Sequence, residues 1–296
     1  MMVRINLIKK EGDVIKVNIL KSIKNGTNHI VKRRKAIGIV VMLSYAILCS
    51  YFYIYQDQLL FNRSLVPSTH PKELQQYEFT WNYDAINHHG WFIHGSENKP
   101  LIVYFGGNAE IISETLIKYK NKFKGQYDIL AIEHRGFGSS EGHPSEKSLI
   151  NDGVELLKEW MVKYNYDAKN IVIIGRSLGS GIAIQVAHVI KPAGIVLITP
   201  FYSINAIGNL YYPYLPINCL NNHPFLSNII APHINIPGLV IIANEDTVVP
   251  PEQGLELAGL MQKKPTILSL TATHSNIYKK PLFWKGLKLF LKEIFV

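Results

Sequence analysis

Cysteine is scarce. Two in 296 residues, Cys49 and Cys219, leave no disulfide framework, because Cys49 falls inside an apolar run and Cys219 has no partner outside it. This leaves the compartment open, since a domain with a good core can be exported without disulfides. Repeats and low-complexity linkers are absent. No HExxH or other close metal-ligand spacing occurs among the 11 histidines, and the pair His88-His89 reads as exposed strand or turn. Acid is also scarce early on. The first 35 residues hold Arg4, Lys9, Lys10, Lys16, Lys21, Lys24, Lys32, Arg33, Arg34 and Lys35 against only Glu11 and Asp13, so most of the net charge of +9 sits there. These bases lie beside an apolar span and not along a folded face, so nucleic acid is not an expected partner.

Charge is missing altogether from residues 36–55, AIGIVVMLSYAILCSYFYIY. Twenty helical residues rise roughly 30 Å, the thickness of a bilayer's hydrocarbon core. Tyr51, Phe52, Tyr53 and Tyr55 crowd the far end, where aromatic rings favour the interface, and Lys32-Arg33-Arg34-Lys35 abut the start. The expectation is a single-pass signal anchor. Its N-terminal tail, residues 1–35, would be cytoplasmic, and the domain 56–296 would lie on the non-cytoplasmic side. No small-x-small cleavage site follows the span, and Leu48 precedes Cys49 where a lipid-modified cysteine needs a small residue. Residues 1–35 mix apolar and basic positions without a clear period, which predicts no element there.

From residue 56 the pattern alternates. Tyr77–Asp84 and His89–His94 predict an opening antiparallel pair. Leu101–Phe105, Tyr127–Glu133, Ile171–Ile174, Ile195–Ile198, Leu239–Ala243 and Thr266–Leu270 predict strands, the continuous apolar runs being those of strands buried on both faces. Helical spacing covers Ile111–Phe123, Ser145–Tyr164, Ser177–Ile190, Gln253–Met261 and Leu282–Ile294. Repeated β-α-β predicts an α/β fold with a mainly parallel central sheet, helices on both faces, and its site at the carboxyl ends of the strands. One long connection, Phe201–Pro237, rich in Tyr, Pro and Asn, reads as a short lid-like insertion.

Chemistry gathers at those strand ends. A buried strand runs into Gly175-Arg176-Ser177-Leu178-Gly179 and then a helix, the context that a G-x-S-x-G nucleophile requires. Serine is a weak nucleophile at neutral pH and needs a base, and the base needs an acid to fix its tautomer. For this elbow the chain order is Ser, acid, His. Asp246 follows the strand GLVIIA and is preferred over Glu245, and His274, the only histidine after His233, follows the strand ending at Leu270. Leu101–Phe105 opens into Gly106-Gly107-Asn108. The backbone N–H groups of Asn108 and Leu178 are therefore the expected oxyanion donors. The glycines lack the spacing of a phosphate or dinucleotide loop. Neither a metal nor a cofactor is expected.

Taken together, these segments resemble a known family. Tyr-Gln-Asp-Gln-Leu-Leu-Phe (55–61), Gly-Gly-Asn-Ala-Glu (106–110), Arg-Gly-Phe-Gly-Ser-Ser-Glu-Gly (135–142), Gly-Arg-Ser-Leu-Gly (175–179), Tyr-Tyr-Pro-Tyr-Leu-Pro (211–216) and Asn-Glu-Asp-Thr-Val-Val-Pro (244–250) occur in this order. They are similar to the membrane-anchored α/β-hydrolase domain-containing proteins of the kind numbered 13 and 17, whose bacterial relatives are labelled serine-aminopeptidase-like. The resemblance implies an α/β-hydrolase fold and an esterase or thioesterase activity, and some members remove fatty acyl groups from cysteine. The implied substrate is an acyl ester or thioester, lipid or acylated protein. At the motif positions it supports Ser177, Asp246, His274, Asn108 and Leu178. The sequence departs from the family at Gly106, Ala243 and Thr273, where His, Gly and Gly are usual, and no catalytic group is lost. Two other readings stay open: an aminopeptidase, for which no carboxylate to hold an α-amino group is evident, and a binding protein on a hydrolase scaffold.

Overall fold

The computed structural model describes residues 2–95 and 99–295, with side chains from residue 23 onward. The chain divides into two compact units, 1–54 and 55–296. The first is part of one helix, α1 (Met2–Leu60). It begins well before residue 36, where the mixed apolar and basic sequence predicts nothing. The side chains of the expected basic tail lie outside the described residues as far as 22. From 23 on they are exposed, Lys32 to Lys35 included. The stretch Ile23–Leu65 contains an 18-residue window of mean hydropathy 2.1, none of it buried, so by length and composition it qualifies as a membrane span.

The second unit is built on an eight-stranded sheet. Its strands are β1 (Glu78–Tyr83), β2 (Ile86–Ile93), β3 (Leu101–Phe105), β4 (Asp128–Ile132), β5 (Ile171–Arg176), β6 (Gly194–Ile198), β7 (Gly238–Ala243) and β8 (Thr266–Leu270). They lie in the order β1-β2-β4-β3-β5-β6-β7-β8. β1, β2 and β4 pair antiparallel, and every pairing from β4 through β3 to β8 is parallel. The apolar runs have the expected cause. Strand side chains alternate between faces, and both faces are covered. Leu101, Val103, Phe105, Ile171 and Ile173 enter one core with α3 (Glu146–Lys163), α4 (Leu178–Ile190) and α8 (Pro251–Leu260). Ile102, Tyr104, Val172 and Ile174 enter the other with α2 (Ile112–Phe123) and α9 (Pro281–Phe295). Burying each such side chain stabilises the fold by roughly 1.5–3 kcal/mol.

The connection from Phe201 to Pro237 is not bare loop. It carries α5 (Ile204–Tyr211), α6 (Ile217–Leu220) and α7 (Ser227–Ile230), short elements whose apolar residues are too few to show a period in the sequence. Phe201 and Phe225 are fully buried and pack on the start of α4. A Cβ at Gly181 would come within 2.6 Å of Phe201.

Candidate active site

Ser177 stands between β5 and α4 with φ 50° and ψ −118°, a backbone that side-chain-bearing residues rarely adopt. Such a residue costs on the order of 1–3 kcal/mol and persists only where its surroundings impose it. Here they do. Its N–H donates to the Ile198 carbonyl at 2.9 Å, and its carbonyl accepts from the N–H and the hydroxyl of Ser180 at 2.8 and 2.6 Å. A Cβ at Gly175 would lie 2.3 Å from the Gly179 carbonyl oxygen, and one at Gly179 would lie 2.1 Å from that of Phe105. The two glycines of the motif are thus required by contact. Leu178 opens α4, so its N–H is one of the four that a helix start leaves without an intrahelical acceptor.

Asp246 and His274 come from loops after β7 and β8. Main-chain bonds join these loops: Asn244 N–H to Leu270 O and Glu245 N–H to Ala272 O, both 2.9 Å. His274 Nδ1 lies 2.6 Å from Asp246 Oδ2. The other carboxylate oxygen accepts from the N–H groups of Val248 and Val249, each at 2.8 Å. Asp246 is buried, whereas Glu245 is exposed. The His274 loop is also tied to the elbow, since Arg176 Nη2 donates to the His274 carbonyl at 2.8 Å.

Arg176 belongs to a buried network that motif reading passes over. Its Nη1 pairs with Glu110 at 3.1 Å. Glu110 accepts from Tyr104 at 2.7 Å, from Thr115 at 2.6 Å and from the Gly107 N–H at 2.7 Å. Tyr104 and Tyr278 join hydroxyl to hydroxyl at 2.7 Å. Burial pushes the Glu110 carboxyl up, but the Arg176 guanidinium and these hydrogen bonds outweigh it, and the carboxyl sits below its ordinary range. Glu110 is charged at neutral pH, and it fastens together the loops after β3, β5 and β8. Both residues lie inside quoted motifs, Gly-Gly-Asn-Ala-Glu and Gly-Arg-Ser-Leu-Gly, yet nothing in their spacing announces the pair.

The loop after β3 carries Asn108. Gly107, just before it, gives its own N–H to the Glu110 carboxylate at 2.7 Å. His134, fully buried, has its Nε2 2.9 Å from the Gly106 carbonyl, and burial pulls its pKa below the ordinary value, so it is neutral and donates there.

Elsewhere His70, His89 and Glu133 bring their ligand atoms within 4.8 Å of one another. The two imidazoles stack, centroids 4.3 Å apart and planes 7° from parallel. An ion bound in the plane of one ring would lie off the plane of the other, so the arrangement is poor for a metal. Burial lowers the pKa of His89, but Glu133 and Glu78 more than reverse this, which suits an ion-paired stack.

Residues 96–219 match the family model for serine aminopeptidase, S33. An uncharacterized protein of Mycobacterium tuberculosis is 34% identical over 175 residues, which cover 56% of this chain and 60% of that protein. The lysophosphatidylserine lipase ABHD12 of Danio rerio, numbered 12 where the motifs suggested 13 or 17, is 30% identical over 226 residues, 66% of this chain and 59% of that one. The chain therefore spans about 60% of the length of these curated relatives. An esterase from Pyrococcus furiosus superposes with a TM-score of 0.63 at 21% identity, over 77% of this chain and 94% of that one. The sheet, the motif order and these likenesses agree on the fold: the chain has the α/β-hydrolase fold, and its sequence is similar to hydrolases built on it.

Proposed function

We propose that the enzyme cleaves a carboxylic ester or thioester through an acyl-serine intermediate. Ser177 Oγ attacks the acyl carbon while His274 takes its proton. Asp246 holds the imidazole in the required tautomer and stabilises the imidazolium. The N–H groups of Asn108 and Leu178 receive the oxyanion. His274 then returns the proton to the departing alcohol or thiol. Water, activated by the same imidazole, releases the acid and regenerates the serine. The observation that carries this reading is the 2.6 Å contact of His274 with Asp246, in a loop that Arg176 ties to the strained elbow at Ser177.

A lipid-like acyl substrate at a membrane is the preferred class. Support comes from the apolar span, from the exposed aromatic residues Tyr211, Tyr212 and Tyr214 on the insertion, and from relatives named as lipase and esterase. The proposed topology keeps residues 1–35 cytoplasmic, 36–55 in the bilayer and 56–296 on the other side.

The test is fluorophosphonate labelling of the full-length chain, followed by hydrolysis of p-nitrophenyl esters from acetate to palmitate. The wild type is expected to label and to turn over, with a preference for longer chains, and Ser177→Ala to do neither. A folded wild type that does not label would return the chain to the binding-protein reading.

A further inference from the structure

The Asn108 side chain is committed to a distant part of the chain. Its Nδ2 donates to the carbonyl of Leu60 at 2.6 Å, and its Oδ1 accepts from the N–H of Asn62 at 3.0 Å. A carbonyl and an N–H two residues apart are met by one amide, as a neighbouring strand would meet them. Between them Phe61 is buried, at 2% exposure, and its ring lies 5.3 Å from that of His223. The clasp needs a carboxamide, which offers a donor and an acceptor together. Asp lacks the donor, and Leu of similar shape lacks both groups.

The same stretch grips the insertion. Gln56 accepts from the Asn222 N–H at 2.6 Å, and Asp57 lies 2.8 Å from His223 Nε2. His223 Nδ1 in turn accepts from the Glu146 N–H at 3.2 Å, and the Glu146 carboxylate accepts from the Phe225 N–H at 2.8 Å. The insertion also reaches the acid loop, with the Tyr211 hydroxyl donating to the Thr247 carbonyl at 2.6 Å.

The loop after β3 holds its tip from one side only, the Glu110 N–H donating at 3.3 Å to the Gly107 carbonyl of the peptide unit that carries the Asn108 N–H. Gly106 and Gly107 carry no side chains, and the internal bonds close between Gly107 and Glu110. Asn108 lies at the tip beside exposed Ala109. An amide held at both ends cannot rotate, so the peptide planes on either side of Asn108 are held with it.

We propose that residues 56–62, the end of α1 and the turn after it, are a positioning element of the oxyanion hole, holding the Asn108 N–H toward the reacting carbonyl by clasping the Asn108 side chain. The inference rests on the ester-hydrolase reading above. Its substance is that the stretch adjoining the apolar span sets the rate of the chemical step. A donor displaced by about 1 Å costs on the order of 10²-fold in rate, while a ground-state carbonyl, carrying little charge, barely registers the change.

The test uses the full-length chain in detergent micelles with p-nitrophenyl butyrate, and butylboronic acid as a tetrahedral mimic whose oxygen enters the hole. The variants are Asn108→Leu, Asn108→Asp and Asn62→Pro. Asn62 has φ −79°, which proline accepts, so the last change removes chiefly the N–H. We expect kcat to fall about 10²-fold in Asn108→Leu, and by smaller factors in the other two. KM should stay within about twofold, and the boronate inhibition constant should rise by the factor lost from kcat. A merely structural role would lower the active fraction without this proportionality. Melting curves identify variants that do not fold. If Asn108→Leu is one of them, Asn62→Pro, which leaves the loop sequence intact, decides. Folded variants with wild-type kcat, or a kcat loss without a matching loss of boronate affinity, would overturn the positioning role and leave the esterase intact. A folded wild type that neither labels nor turns over would remove both.

Discussion

Ser177, the proposed nucleophile, shows how much of a strained position is built by the residues around it. Its φ of 50° is held by a main-chain bond to β6 and by two glycines whose replacement would drive a methyl group to within 2.3 Å of backbone. These requirements are local, so Gly-x-Ser-x-Gly after an apolar strand is legible without a structure. The preference for Asp246 over Glu245 rests on less in the sequence, since two acids stand side by side. In the structure one is buried against His274 and two N–H groups, and the other faces water. Asp246→Asn tests the assignment. The amide presents the wrong hydrogen-bonding partner to Nδ1 and favours the unproductive tautomer. By comparison with the equivalent change in serine proteases, kcat is expected to fall about 10⁴-fold with KM little changed. Steady-state kinetics on a short ester would show this, and a loss under tenfold would send the search for the acid elsewhere.

At the scale of elements, continuous apolar runs and helical spacing locate most of the sheet and its covering helices, because a strand with both faces buried has no freedom to be polar. Three features escape. The helix before residue 36 has no amphipathic stripe to reveal it. The short helices of the insertion are stabilised by Phe201 and Phe225 docking on α4, a tertiary contact. The Arg176–Glu110 pair joins residues far apart in sequence and is invisible to spacing. One terminus is locally encoded. Ser145 caps α3 through a reciprocal box, its hydroxyl accepting from the Ser148 N–H at 3.1 Å and its N–H donating to the Ser148 hydroxyl at 2.9 Å. Ser145→Ala should destabilise the domain by about 1 kcal/mol, and Ser145→Gly by less. Urea melts would read the difference. Equal midpoints for alanine and wild type would mean that the cap contributes nothing.

For the molecule as a whole, buried ionisable groups set the response to acid. Burial holds His88, His134 and partly buried His70 below the ordinary histidine value, and Arg176 helps hold Glu110 below the ordinary carboxylate value. For groups shifted downward, the stability they lend is complete above the unfolded-state pKa and is lost as pH falls toward the folded one. The loss therefore begins near pH 6.5 for the histidines, and Glu110 adds to it only below the carboxylate range. His89, shifted upward, works in the opposite sense and offsets part of the loss. The melting temperature should decline steadily from about pH 6.5 to 4.5. A flat profile over that interval would mean that the buried histidines accept protons without penalty.

The buried pair of Glu110 and Arg176 has an inheritance of its own. Losing either partner alone strands a charge out of reach of water, a step costing about 3–5 kcal/mol, much of a typical domain's margin. Descent through single substitutions is thus barred at both positions. Among descendants of a common ancestor the acid and the base should be kept or exchanged jointly, two codons far apart in the gene behaving as one character.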